Sequence, residues 1–171
     1  KAWSGLDGLD LAKEVTTAQS YVVNEGLWHW PLGVAPVAKP RFTVVVMDYG
    51  VKRNILRALG EIGAKTIVLP ATATFEEAMA HKPDGILLSN GPGDPAATGV
   101  YAAPQIKKMV DSGTPVMGVC LGHQMLGLAL GAKTMKMSQG HHGANHPVKD
   151  LQTGEVEIVS MNHGFAVDRE S

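Results

Sequence analysis

The stretch Pro115-Val116-Met117-Gly118-Val119-Cys120-Leu121-Gly122-His123-Gln124 decides the fold. Pro115 to Val119 reads as a buried strand, while Leu121, Met125, Leu126, Leu128 and Ala129 recur at helical spacing. Cys120, the single cysteine of the chain, therefore falls on an abrupt strand-to-helix turn. Glycine on both sides, at 118 and 122, removes the Cβ atoms that so sharp a turn would drive into collision. A sulfur at a helix N-terminus sits in the positive field of the peptide dipoles, which suits an anionic nucleophile. The alternative for a lone cysteine beside apolar residues is an inert core position, and the flanking glycines argue against it.

Upstream of this turn, apolar runs alternate with helical patterns. Phe42 to Met47 is β-branched and apolar, after which Val51, Ile55, Leu59 and Ile62 recur at helical spacing until Gly63. Thr66 to Leu69 is the next strand, and Thr74 with Glu77 three residues later reads as a capping box opening a helix through Met79 and Ala80. Gly85 to Leu88 is another short strand. The loop Asn90-Gly91-Pro92-Gly93-Asp94-Pro95 then leads to a helix with Ile106, Met109 and Val110 on one face, stopped at Asp111-Ser112-Gly113. Downstream of the turn, Gly131 and Gly140 flank a short strand and Val156 to Ser160 makes one more. Strands apolar throughout are buried on both faces, and their exchange with helices implies right-handed crossovers. The fold class is α/β: a doubly wound, mostly parallel sheet with helices on both faces, flavodoxin-like. Ligands of such sheets bind outside the carboxyl ends of strands, so the two glycine loops are expected to face one crevice.

Residues 1–40 differ in kind. Gly5, Gly8, Gly26 and Gly33, with Pro31, Pro36 and Pro40 and scattered Trp3, Trp28 and Trp30, read as an extended connecting arm. One helical turn is expected at Asp10 to Val15, and a short hairpin from Gln19–Val23 and Leu27–Trp30. The 171 residues suit one domain plus such an appendage, and 44% hydrophobic composition supplies its core. Fifteen basic and sixteen acidic residues leave a formal charge of −1 without any Lys/Arg-rich run, which disfavours nucleic acid and anionic membranes as partners. One cysteine cannot form an internal disulfide, no apolar run approaches membrane-spanning length, and the N-terminus lacks a signal-peptide pattern. A reducing cytoplasm fits best.

A thiolate attacking an acyl carbon needs a general base, a group to orient that base, and N–H donors for the developing oxyanion. The Leu121 amide and the backbone of Gly91 to Gly93 are the candidate donors, although Asn90 to Pro95 also fits an ordinary tight turn. That loop lacks the Gly-Lys-Ser/Thr ending of a P-loop, which disfavours phosphate cradling. His123 lies one helical turn beyond the nucleophile and is constrained by its own helix. His163, after a strand and with Asp168 nearby, is the best internal candidate for the base; its alternative is a pocket-lining or backbone-bonding role. His141, His142 and His146 crowd a glycine-bearing loop, where solvated or hydrogen-bonded histidines are favoured over ligands because no cysteine or well-spaced carboxylate completes a set. No metal site is expected.

Gly118-Val119-Cys120-Leu121-Gly122-His123-Gln124 together with Ser89-Asn90-Gly91-Pro92-Gly93-Asp94-Pro95 resembles the nucleophile elbow and oxyanion loop of class I glutamine amidotransferases. Asp10 to Thr17, Lys52 to Arg57, Gly140 to Val148 and Asn162 to Asp168 resemble, more narrowly, the family of carbamoyl-phosphate synthase small subunits. The resemblance implies that Cys120 attacks the side-chain amide of L-glutamine, that ammonia leaves, and that water releases glutamate from a thioester. Ammonia would pass to a large synthetase subunit, the partner in a heterodimer, which uses ATP and bicarbonate to make carbamoyl phosphate for arginine and pyrimidine synthesis. No cofactor is implied for the small subunit itself. By the same resemblance Gly91, Gly93, Leu121, Gln124, Asn162, Gly164 and Phe165 line the glutamine pocket. Backbone groups of the glycines and Leu121 would hold the amide oxygen, and Gln124 and Asn162 offer amides suited to the zwitterionic end of the substrate.

These families use a His-Pro-Glu element as base and orienter, which does not occur in the 171 residues, and His163 is not its equivalent. The small-subunit family also carries a separate N-terminal domain. The expectation is therefore a fragment: residues 1–40 an arm from a missing N-terminal domain, and residues 41–171 an amidotransferase domain truncated at its C-terminal end. Another class I amidotransferase, a different cysteine hydrolase, or a redox-sensing module in which Cys120 is only oxidised are the rival expectations, the last leaving the second glycine loop unexplained. The 171-residue chain alone is expected to release little glutamate from glutamine, since nothing moves protons at the sulfur; robust release abolished by Cys120→Ser, in a coupled glutamate assay, would contradict this.

Overall fold

The computed structural model describes residues 5–37 and 39–171; residues 1–4, with Trp3 and the first part of the expected arm, and Ala38 lie outside the described residues. Along the chain come α1 (Ala12–Val15), β1 (Tyr21–Val23), β2 (Glu25–His29), β3 (Gly33–Pro36), β4 (Phe42–Asp48), α2 (Arg53–Glu61), β5 (Ala64–Pro70), α3 (Phe75–Ala80), β6 (Gly85–Leu88), α4 (Pro95–Asp111), β7 (Val116–Gly118), α5 (Leu121–Ala129), β8 (Thr134–Lys149) and β9 (Val156–Val167). The central sheet runs β1-β5-β4-β6-β7, with β5, β4, β6 and β7 parallel and β1 antiparallel at one edge. Successive side chains of a strand point to opposite faces, and the buried set divides accordingly. Val45, Met47, Ile67, Leu69, Ile86 and Leu88 pack with Ile106 and Met109 of α4 and Leu121 and Met125 of α5. Val44, Val46, Val68 and Leu87 pack on the other face with Leu56 of α2. The expected doubly wound architecture is thus present, and the C-terminal ends of β6 and β7 carry the two glycine loops.

Local chemistry fixes the helix starts. Glu77 N–H donates to Thr74 Oγ1 at 3.2 Å and Thr74 N–H to Glu77 Oε2 at 2.7 Å, the reciprocal box expected for α3. Asp94 caps α4 by accepting from Ala96 N–H, and Pro95 fills the first helical position, where no N–H is needed.

The segment before β4 is fastened to the domain by carboxylates. Ala12 is fully buried in the larger core cluster. Asp10 Oδ1 accepts from Thr98 Oγ1 at 2.9 Å and from the Tyr101 hydroxyl at 3.4 Å. Burial first, and then the Asp10 carboxylate, push the Tyr101 phenol up to about 12, so it stays a donor. Asp48, only 5% exposed, accepts from the N–H groups of Thr17, Gly50 and Val51 at 2.7, 2.9 and 2.8 Å, tying the segment to the end of β4.

Two expectations require correction. The hairpin from Gln19–Val23 and Leu27–Trp30 does not form: β1 pairs with β5, Tyr21 opposite Val68, while β2 pairs with β3. Only Asn24 separates β1 from β2, too short a connection for a hairpin turn. Beyond α5, β8 and β9 are not short strands but one long antiparallel ribbon outside the main sheet. His141, His142 and His146 therefore lie on a strand rather than in a loop, and Gly140 and Gly143 fall where the register shifts instead of ending a strand. No helix among the described residues is long and apolar enough to cross a membrane.

Asp48→Ala leaves three backbone donors without their acceptor, and urea denaturation is expected to show a loss of about 3 kcal/mol. A loss below about 0.5 kcal/mol, in the range of ordinary surface substitutions, would contradict the fastening assigned to Asp48.

Candidate active site at the Cys120 elbow

Cys120 has φ 52° and ψ −109°, a backbone conformation that L residues adopt rarely and at a cost of about 1–3 kcal/mol. The two expected glycines are what permit it. A Cβ at residue 118 would lie 2.5 Å from His123 N and 2.6 Å from Gly122 C, and one at residue 122 would overlap the Leu88 carbonyl. Val119 N–H donates to Leu88 O and Gly122 N–H to Ser89 O, both at 3.0 Å, so the elbow is stitched to the end of β6 from which the other loop departs.

That second loop is equally constrained. Tyr49 N–H donates to Ser89 Oγ at 2.9 Å, Asn90 Nδ2 to Gly50 O at 3.0 Å, and Lys52 N–H to Asn90 Oδ1 at 3.1 Å. The Tyr49 carbonyl fills the space a Cβ of residue 91 would need, and Gly93, at φ 98°, has Leu9 O 2.6 Å from its missing Cβ. Asp94 is gripped from the N-terminal segment, with Gly8 N–H donating to its Oδ2 at 2.8 Å and its own N–H to Leu9 O at 2.9 Å.

Two adjoining hollows of about 630 and 390 Å³ meet at Cys120. The smaller one gathers the nucleophile and the seven residues that the resemblance assigned to the pocket: Cys120 with Gly91, Gly93, Leu121, Gln124, Asn162, Gly164 and Phe165. Neither lining contains an Asp or Glu, and Lys52 borders both, a balance that suits a ligand carrying a carboxylate. The Leu121 N–H, first of α5, has no intrahelical acceptor by geometry and is available beside the sulfur.

Among the described residues the one hydrogen-bond contact of Cys120 Sγ is the Asn162 carbonyl, 3.8 Å away. No imidazole reaches the sulfur. His123 borders the larger hollow from α5. His163 Nδ1 donates to Phe165 O at 2.9 Å and its ring stands edge-on to His141, while Asp168 accepts from Glu170 N–H instead. His163 thus takes the alternative role, bonded to backbone and lining both hollows. His141 and His146 stack with ring centroids 5.2 Å apart, and no group of three metal-binding side chains gathers among the described residues.

Gln124, 6% exposed, donates from Nε2 to Phe165 O at 2.7 Å. It thus anchors β9 on α5 with its amide nitrogen and keeps its oxygen as the polar group it can offer a ligand. Lys52, Asn90 and Leu6, given no pocket role from the sequence, also line the smaller hollow, as does His142, which was expected only as a solvated or hydrogen-bonded histidine. Asn90, Lys52 and His142 all stand inside quoted motifs, but the place of His142 in the hollow depends on a strand register that two shifts hide.

Residues 45–171 match the family model "Glutamine amidotransferase class-I". The chain belongs to the class-I glutamine amidotransferase family. Among its relatives, it is 67% identical to a carbamoyl phosphate synthase small chain of Caulobacter vibrioides over 171 residues, all of this chain and 44% of that protein. A small chain of the same name from Brucella anthropi is 65% identical over 99% of this chain and 42% of its own length. The chain spans less than half the length of these curated relatives. Among solved structures, a glutamine amidotransferase from Thermotoga maritima superposes with TM-score 0.59 at 17% identity, covering 74% of this chain and 62% of that one, a likeness of fold.

Because the strain at residue 120 belongs to the backbone, removing the sulfur does not relieve it, whereas removing Cβ does. Cys120→Gly is expected to be about 1 kcal/mol more stable than Cys120→Ala in urea denaturation; equal or lower stability would contradict a strained elbow.

Proposed function

We propose that the chain is the glutamine-hydrolysing part of a carbamoyl-phosphate synthase small subunit. The observation that carries this is the meeting, in one hollow, of Cys120 with the seven residues matched to a glutamine pocket, supported by the names of the relatives. Sγ adds to the side-chain carboxamide carbon of glutamine, and the oxygen that becomes anionic faces the N–H of Leu121 and the Gly91–Gly93 backbone. Collapse of this intermediate breaks the C–N bond, the nitrogen leaves as ammonia after gaining a proton, and a γ-glutamyl thioester remains. Water then adds to the thioester carbon, the C–S bond breaks, and glutamate departs with the thiol restored.

Proton transfer at Sγ requires a base that none of the described histidines supplies, and we assign it to a part of the longer protein outside these residues. The ammonia is passed to a large synthetase subunit that consumes ATP and bicarbonate. The small subunit needs no cofactor of its own for the hydrolytic step, and a cytoplasmic setting accords with a free thiol as nucleophile.

The test is covalent capture in the full-length protein. A glutamine-analogue electrophile such as a diazoketone is expected to add once, at Cys120, with excess glutamine protecting, while peptide electrophiles leave the residue unmodified; intact-mass and peptide analysis read both. Labelling by peptide electrophiles, or glutamine hydrolysis surviving in Cys120→Ser, would overturn the proposal.

A further inference from the structure

The His142 side chain makes a hydrogen bond that neither the fold nor the hydrolytic steps above require. Its Nδ1 lies 2.7 Å from Asn162 Oδ1, and the two residues stand directly opposite each other in the β8–β9 ribbon. Their pair is the middle of a three-rung block, His141 with His163, His142 with Asn162 and Gly143 with Met161, set between two register shifts. The ring is seated by the absence of a side chain at Gly140, where a Cβ would lie 2.6 Å from His142 Nε2. Asn162 in turn presents its main-chain carbonyl to Cys120 Sγ at 3.8 Å, and both His142 and Asn162 border the smaller hollow.

A carboxamide has one acceptor end and one donor end, and which end faces a ligand is set by the partner of the other. An Nδ1–H on His142 satisfies Oδ1 of Asn162, so the two N–H bonds of Nδ2 are the ones left for the hollow. That hollow contains no acidic side chain, so donors there meet a carboxylate without competition. We infer that His142 is a positioning residue for substrate: it locks the Asn162 amide with its NH₂ toward the α-carboxylate of the bound amino acid. The inference rests on the glutaminase proposal above. It concerns contacts remote from the reacting carboxamide, which act on ground state and transition state alike and therefore on KM rather than kcat.

The experiment compares three substitutions in the full-length enzyme, with Cys120→Ala alongside. His142→Ala removes the donor and is expected to raise the KM for glutamine about three- to tenfold, the usual worth of one such hydrogen bond, with kcat changed by less than about twofold. His142→Asn places an amide nitrogen where Nδ1 was and is expected to return KM to within about twofold of the parent. His142→Asp, of the same size but with an acceptor there, is expected to raise KM at least as far as the alanine change. An unchanged KM in His142→Ala, or equal KM values for the Asn and Asp variants, overturns the inference. In that event an inactive Cys120→Ala leaves the glutaminase proposal standing, whereas hydrolysis surviving in Cys120→Ala removes the proposal itself.

Discussion

Everything at the site follows from holding one non-glycine residue at a backbone conformation meant for glycine. With Cys120 at φ 52°, the chain reverses from β7 into α5 across only two residues, Val119 and Cys120, at the sheet's carboxyl edge. The strain persists only because the surroundings leave no alternative. Gly118 lies against the backbone of 122–123, Gly122 lies against Leu88, and two hydrogen bonds pin the turn to residues 88 and 89. A Cβ on either glycine would push backbone against backbone, so the same packing that creates the strain also prevents its release.

The elbow does not act alone, because its bonds to Leu88 and Ser89 place the Asn90–Pro95 loop at a fixed distance from it. That loop is held from below by Tyr49 and Gly50 and from the side by Gly8 and Leu9. The N-terminal segment, fastened through Asp10 and Asp48, is thus part of the support for the site. On the opposite wall the β8–β9 ribbon brings Asn162 to Phe165 over the sulfur, anchored where Gln124 donates to the Phe165 carbonyl. Three separate parts of the chain thus converge around one thiol, each held by hydrogen bonds to or from the backbone or buried side chains.

The fold was legible in the sequence wherever local chemistry and tertiary packing agree. Apolar strands 42–47 and 85–88, the Thr74/Glu77 box and the glycines around Cys120 each specify their structure from nearest neighbours, and all are found. That residues 162–165 would share a hollow with Cys120 came only from the resemblance, since spacing cannot show that Asn162 lies over Cys120, forty-two residues away. What escaped was set by distant partners. The edge strand β1 chooses β5, not its neighbour, and the long ribbon conceals its register behind two shifts, so three histidines that read as loop residues lie on a strand. Asp10 and Asp48 likewise look like ordinary surface carboxylates until the hydroxyls that face the one and the backbone N–H groups that face the other are in place.

The central claim is that the sulfur of residue 120 forms a covalent bond to the carboxamide carbon of glutamine. Its most direct measurement is acid quenching of the full-length enzyme during steady-state turnover of glutamine, followed by mass analysis of the peptide containing Cys120. A fraction of that peptide carrying one glutamyl group in thioester linkage, discharged by hydroxylamine, is the result this account requires. An unmodified peptide throughout turnover, with glutamate still accumulating, would contradict it.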